Sequence, residues 1–284
     1  MLMIIALLVV FGLCLGSFVN ALVWRLHEQA EESDKKKPSK KYLRDLSISK
    51  GRSMCPDCHH TLGAKDLVPV LSWLSLGGKC RYCRKPISAQ YPVVELTTAV
   101  LFVLSYVYWP VELVGAAQIA VFSLWLILLV GFMALVVYDF KWMLLPDRIV
   151  FPLGVVAGVV AIINITASHQ QARAALDVIL AVAVGGGIFY LLYQVSGGRW
   201  IGGGDVKLGW LLGLVVGTPS KALLFIFLAA LTGSLVSIPM MVGGKMSRGS
   251  VIPFGPFLIV GAVVAVLFGA DILDWYRQTV LLGV

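Results

Sequence analysis

Eight apolar runs, at residues 2–24, 92–109, 113–138, 149–166, 175–195, 206–217, 221–242 and 252–269, constrain this chain more than any motif in it. A helix crosses the hydrocarbon core of a bilayer with about 20 apolar residues, and in lipid the backbone must satisfy its own N–H and C=O groups. The runs therefore predict an all-α polytopic membrane protein with about eight transmembrane helices. The sixth run is short and starts in a glycine run, which predicts a half-buried or tilted helix. Composition agrees, with 59% hydrophobic and 13% charged residues against roughly 45–50% and 25% in soluble proteins. An ordinary soluble globule and a disordered chain are both excluded. The first run is too long, and has the wrong flanks, for a cleavable signal peptide. No internal repeat relates the two halves.

Charge sets the orientation. With the N-terminus outside and eight crossings, the inside segments carry 20 of the 23 Lys and Arg residues. Fourteen lie in residues 25–90, followed by Lys141, Arg148, Arg199, Lys207, Lys245 and Arg248, while Arg173, Lys221 and Arg277 stay outside. The positive-inside bias predicts a multi-pass protein of the inner or plasma membrane with residues 25–90 in the cytoplasm. The net charge of +8 then needs no nucleic-acid partner. Residues 28–53, rich in Ser and Lys, read as a mobile linker or surface segment. Their basic character either sets topology as a solvated face or attracts anionic membrane lipid.

Cys55-Pro-Asp-Cys58 and Cys80-Arg-Tyr-Cys83 are two Cys-X-X-Cys knuckles, 21 residues apart, close to the spacing of a four-thiolate zinc ribbon. Two residues between thiols let each turn present both sulfurs to one tetrahedral ion. A reducing cytoplasm disfavours disulfides and keeps thiolates available. A small cytoplasmic zinc-ribbon-like domain between the first and second helices follows, with a redox pair or a metal-free tetrad as the alternatives. A closed four-sulfur site leaves no position for substrate, so its zinc is structural. His59 and His60 stand ready to replace a thiolate, but four cysteines suffice. Cys14, alone in an apolar run, reads as a packing residue.

A carboxylate at a membrane helix end is a functional hypothesis by default. Asp139 ends the third run, Asp147 follows Pro146, and Asp205 follows Gly202-Gly203-Gly204. All three fall at the cytoplasmic edge of the topology above, so two from distant parts of the chain can meet there. Two carboxylates sharing a proton can split a peptide bond, one activating water and the other polarising the carbonyl. The bland alternative is a helix cap or an ion pair with Lys141, Arg148 or Lys207, and it weighs most for Asp147. Glu95 either snorkels to the interface or faces a polar cavity.

In order along the chain, Gly16-Ser17-Phe18-Val19-Asn20 with Arg25-Leu26, Asp66-Leu67-Val68-Pro69 and Ser72-Trp73-Leu74 between the knuckles, and Tyr91-Pro92-Val93-Val94-Glu95 resemble the N-terminal region of type IV prepilin peptidases. The resemblance continues through Asp139, Leu145-Pro146-Asp147, Gly202-X-Gly204-Asp205-Val206-Lys207-Leu208 and Ile252-Pro253-Phe254-Gly255-Pro256. It covers nearly the whole chain and places it beside the GxGD-type membrane aspartic peptidases that are also N-methyltransferases. The resemblance implies an aspartate dyad of Asp139 and Asp205 that removes basic leaders from type IV prepilins or type II secretion pseudopilins at the cytoplasmic face. It implies methylation of the new N-terminus with S-adenosylmethionine, assigned to the N-terminal cytoplasmic domain, where Gly78 matches a glycine linked to methyl transfer. Read from Gly77-Gly78 alone, that turn belongs to a zinc knuckle. No glycine-rich fingerprint for the methyl donor is present.

The expected organisation is a first transmembrane helix at 1–24, a four-cysteine zinc-binding domain at 25–91 and a membrane peptidase domain at 92–284. Pilus or secretion assembly components are further expected partners. Gly202 and Gly204 are expected to position substrate, the glycine run supplying an extended edge for the substrate strand. The competing classes are an ion or small-solute transporter with acidic residues along its path, and a zinc-domain scaffold of a secretion complex. A transporter should carry its acids near the midplane of two repeats, and the scaffold gives no reason for the aspartate motifs.

Overall fold

The computed structural model describes residues 1–48, 51–244 and 252–281. In chain order its helices are α1 (Leu2–Ser33), α2 (Lys40–Asp45), α3 (Leu71–Ser75), α4 (Gln90–Val107), α5 (Gly115–Trp142), α6 (Asp147–Ala167), α7 (Gln171–Ser196), α8 (Gly203–Val216), α9 (Pro219–Val242), α10 (Gly255–Leu267) and α11 (Gly269–Tyr276). Among the described residues there is no strand, only isolated bridges between Met54 and Thr61 and between Lys79 and Pro86. Six helices, α1, α4, α5, α6, α7 and α9, are long and apolar enough to cross a bilayer, and the pair of apolar helices at 255–267 and 269–280, bent by 78°, makes a seventh span if taken as one. The sixth apolar run, α8, has only 14 residues. At 1.5 Å per residue that is about 21 Å, short of the hydrocarbon thickness of about 30 Å. Gly217, at φ 70°, stops it.

The chain divides into two compact units between Val107 and Tyr108. By packing, α4 therefore belongs with α1, whereas the sequence reading grouped it with the later spans. The reason lies in two glycines of α1: a Cβ on Gly12 would meet the backbone of Ala99 at 2.5 Å, and one on Gly16 the backbone of Glu95 at 2.7 Å. Small residues of this kind let membrane helices approach to backbone contact. Polar groups close the same seam: Asn20 donates to the Tyr91 carbonyl and accepts from the Gln90 amide, both at 3.2 Å.

The basic segment after α1 is more ordered than a linker. Buried Arg25 donates to the carbonyls of Ser47, Ile48 and Gly51 at 3.0 to 3.3 Å. Glu32 accepts from the Ser39 N–H, and Ser39 caps α2. A guanidinium has five donors in a fixed fork, so one side chain gathers three carbonyls and folds the segment back on α1. Lys245 and Arg248, two of the expected inside charges, lie outside the described residues.

In the second unit α5 is the most buried long helix. Short α8 is held by glycines on both sides of its contact with α7. A Cβ on Gly209 would meet the Gly185 carbonyl at 2.5 Å, one on Gly213 the Ala181 carbonyl at 2.5 Å, and one on Gly186 would overlap the Trp210 ring. The C-terminal ends of α5 and α7 and the N-terminal ends of α6, α8 and α10 consequently share one end of the unit. Lys141, Arg148, Arg199 and Lys207 belong to these ends, and Arg173 and Lys221 begin α7 and α9 at the other.

Gly209→Val should force α7 and α8 apart and destabilise the protein by about 1–3 kcal/mol, the usual cost of overpacking. Gly154, whose Cβ direction is open, should accept Ala with no loss. Thermal unfolding in detergent distinguishes the two.

Candidate active site

Asp139 stands one turn before the end of α5 and is 5% exposed. Its Oδ2 accepts the backbone N–H of Gly255, the first residue of α10, at 3.1 Å. That N–H is one of the unpaired donors every helix start presents. A Cβ on Gly255 would sit 2.6 Å from the same oxygen, so only glycine lets the helix start reach the carboxylate. Sequence reasoning noted Gly255 as part of a motif and gave it no role. The available signal was Gly-Pro at the head of an apolar run, since proline favours the first turn of a helix.

Asp205 lies in the first turn of α8, close enough that its charge acts on Asp139. Its carboxyl reaches back toward the Gly202 N–H, the reciprocal half of a capping box. The glycines ahead of it are not an extended edge: Gly202 is the extended N-cap, but Gly203 and Gly204 are already helical. The physical reason is that Asp205 at N3 caps this start and pulls the run into the helix. Gly204 faces Leu145, whose side chain a Cβ would meet at 3.3 Å. Asp147, at the head of α6, bonds Lys207 at 2.7 and 3.0 Å and is half exposed. It is neutralised by a neighbour on α8 and clips that helix to α6. A cavity of about 330 Å³ opens between α9 and the start of α10, lined by Gly233, Ser234, Ser237, Pro253, Phe254 and Phe257, the residues 253–254 leading directly into Gly255.

The second cluster belongs to the first unit. The sulfurs of Cys55, Cys58, Cys80 and Cys83 lie within 4.8 Å of one another. Cys55 and Cys83 are 3.9 Å apart, near the edge of about 3.8 Å that four sulfurs at about 2.3 Å from a central ion would define. The two knuckles repeat one fold. Cys55 N–H donates to the His60 carbonyl as Cys80 N–H does to Lys85, and His59 and Arg84, both at positive φ, donate to the Cys55 and Cys80 carbonyls. Burial opposes ionisation of Cys80, but the N–H groups of Cys83 and Tyr82 aim at its sulfur and bring the thiol down to about 7. These four residues could hold a metal ion. His59 and His60 are exposed and outside the tetrad, and His60 stacks on Tyr82 at 3.7 Å between centroids.

Comparison with known proteins bears on both units. Residues 10–109 match the bacterial peptidase A24 N-terminal domain and residues 126–238 the type IV leader peptidase family. A prepilin leader peptidase/N-methyltransferase of Pseudomonas aeruginosa is 32% identical over 95% of this chain and 92% of its own length. The chain belongs to the type IV leader peptidase family. A type 4 prepilin-like proteins leader peptide-processing enzyme of Escherichia coli is 35% identical over 91% of this chain and 92% of its own. A prepilin leader peptidase/N-methyltransferase of Bacillus subtilis is 31% identical over 98% and 99%. No solved structure matches.

Within the family framework, two further residues acquire geometry. Gly78, at φ 68°, lies under Trp73, whose ring a Cβ would meet at 2.9 Å, while Trp73 Nε1 donates to the Ile87 carbonyl. This turn packs the second knuckle. Glu95 is buried rather than snorkelling and accepts the Val70 N–H at 2.7 Å.

Asp66 ties the knuckles together, accepting from Arg81 at 2.7 Å, Tyr82 at 3.1 Å and the Gly63 N–H at 3.1 Å. The Arg81 guanidinium above all holds its carboxyl below the usual range. A depressed folded-state value means that the stabilisation is complete above the unfolded value of about 3.9 and is lost as pH falls through the folded value. Asp66→Asn should therefore lower thermal stability by a constant amount from about pH 8 to about pH 5, and the deficit should shrink below about pH 4. Melting curves of parent and variant across that range check it.

Proposed function

We propose that this chain is a prepilin leader peptidase and N-methyltransferase of the inner membrane, with Asp139 and Asp205 as its catalytic pair at the cytoplasmic face. The observation that carries the reading is the buried Asp139, fixed by the Gly255 N–H and facing the charge of Asp205. Like charges held together favour sharing a single proton. The ionised partner takes a proton from water while the protonated partner donates a hydrogen bond to the scissile carbonyl. Attack gives a tetrahedral intermediate, and the proton gained from water goes to the leaving amine. Gly255 holds one oxygen still, so that water and carbonyl meet the other atoms of the pair.

The substrate class follows from the membrane setting. A prepilin carries a basic leader before an apolar helix, and the positive-inside rule holds such a leader in the cytoplasm. Its helix enters sideways from lipid, and the cavity between α9 and the start of α10 offers it an opening on the approach to Gly255, whose N–H binds Asp139. The scissile bond must unwind there, since a helical carbonyl is already hydrogen-bonded. In the first unit the four cysteines would hold zinc, which supplies folding energy to a small loop and leaves no open position for chemistry. S-adenosylmethionine is the methyl donor for the new N-terminus, with Gly78 beside the methyl-transfer region. Gathering of the acids at helix ends favours this reading over an ion path, which needs them at depth.

Asp139→Asn and Asp205→Asn should each abolish cleavage of a prepilin while insertion and folding persist, whereas Asp147→Asn should keep activity within about tenfold, losing only an exposed ion pair. Mass spectrometry of the product's N-terminus measures this; normal processing by either of the first two sinks the dyad.

Elemental analysis should find about one zinc per chain, as a single closed site requires. Cys55 and Cys58 changed together to Ser should lose that metal and methylation while cleavage continues. A parent protein free of zinc under reducing conditions would falsify the metal assignment.

A further inference from the structure

The first unit holds a backbone outlier that neither the acid pair nor the tetrad uses. Val70 has φ 61° and ψ −51°, and across it Leu71 N–H donates to the Pro69 carbonyl at 2.5 Å. This is a γ-turn of the positive-φ kind, rare and strained, and for a β-branched residue such a φ is a true outlier. Strain of that sort persists only where the surroundings impose it. Here they are Glu95, 5% exposed, which accepts the Val70 N–H at 2.7 Å and is also bonded to Ser17.

The turn aims an apolar loop. Leu67, Val68, Leu71 and Leu74 are 41%, 43%, 65% and 59% exposed, and Leu71 and Leu74 lie three apart, on one face of α3. Their depth follows from the helix that anchors them. At 18 residues α4 is about 27 Å long, so crossing a hydrocarbon core of about 30 Å takes its whole length, Glu95 included. Glu95 is five residues past the first residue of α4, about 7.5 Å along it, and Val70 is bonded to it at that depth. Val93 and Leu96, near Glu95 in sequence, are 57% and 50% exposed, as expected of a membrane helix at this level. The four exposed loop side chains are thus held near the level at which α4 enters the bilayer, and exposed Lys65 and Lys79 flank them in sequence, suited to phosphate headgroups.

We propose that residues 67–74 form an interfacial tongue that inserts its apolar side chains at the boundary of headgroups and acyl chains, with phospholipid as its partner and Glu95 as its positioning residue. At its far end Trp73 covers Gly78 and bonds Ile87, so the tongue fixes the second knuckle at the membrane surface. The inference rests on the membrane-spanning character of α4 and not on the peptidase chemistry.

The test places benzoylphenylalanine at position 71 or 74 of the full chain, in nanodiscs of phosphatidylcholine and phosphatidylglycerol, with position 84 in the exposed knuckle as control. After irradiation, mass spectrometry should find phospholipid adducts at 71 and 74 at least fivefold above the control. Glu95→Ala should cut the adduct at 71 at least threefold with metal content unchanged, and Glu95→Gln, which keeps an acceptor for Val70, should restore it. Adduct yields equal to the control, or adducts to a co-reconstituted prepilin in place of lipid, would overturn the proposal whether or not Glu95→Ala folds.

Discussion

A hydrogen bond across 116 residues, from the Gly255 N–H to the Asp139 carboxylate, organises the second unit. In lipid a helix consumes its own donors, and the only backbone N–H groups left to serve a buried acid are those in its first turn. An aspartate near the end of one helix must therefore face the start of another. Asp139 does so against α10, and Asp205 does so within its own helix, reaching back to Gly202. Both acids are forced to the same end of the bundle, and their meeting there follows from how helices satisfy their backbones.

Holding those ends in register falls to glycine. A side chain at Gly209 or Gly213 would overlap the backbone of α7, and one at Gly255 the Asp139 carboxylate. Close backbone approach lets 14-residue α8 sit against the 26-residue α7 with Asp205 in its first turn. The ion pair between Lys207 and Asp147 adds a second tie between α8 and α6. Half exposed, it contributes little stability, but it joins α6 to the first turns of the helix that carries Asp205.

The apolar runs, the two knuckles and the three aspartates were all legible in the sequence because each rests on local chemistry: hydropathy, ligand spacing, and the cost of an acid at a membrane helix end. Several features were not legible. The glycines before Asp205 read equally well as an extended edge, and only the capping geometry at N3 turns two of them helical. The grouping of α4 with α1 depends on Gly12 and Gly16 meeting Ala99 and Glu95, a pairing that one sequence cannot reveal. The role of Gly255 needed its partner Asp139, far away in sequence. Arg25 looked like one more inside charge, yet it collects three carbonyls because the segment it folds happens to return to α1.

The acidic residues of the two units separate by the partner each one meets. Asp66 meets Arg81 and Asp147 meets Lys207, and a carboxylate whose oxygen is engaged by a cation serves as a structural tie. Glu95 meets the neutral N–H of Val70 and a hydroxyl, Ser17, which hold it in place and set backbone shape. Asp139 accepts a neutral N–H and lies within the electrostatic reach of a second carboxylate, Asp205. A lone carboxylate so placed could only accept hydrogen bonds; in the mechanism we propose, two of them sharing a proton would provide both an acceptor and a donor. That combination is what hydrolysis of an amide demands, since water must lose a proton at the moment the carbonyl gains negative charge. The same residue type thus serves as clip or wedge, and in the proposed mechanism as reagent, according to whether the neighbouring group is a cation, a backbone amide or another acid.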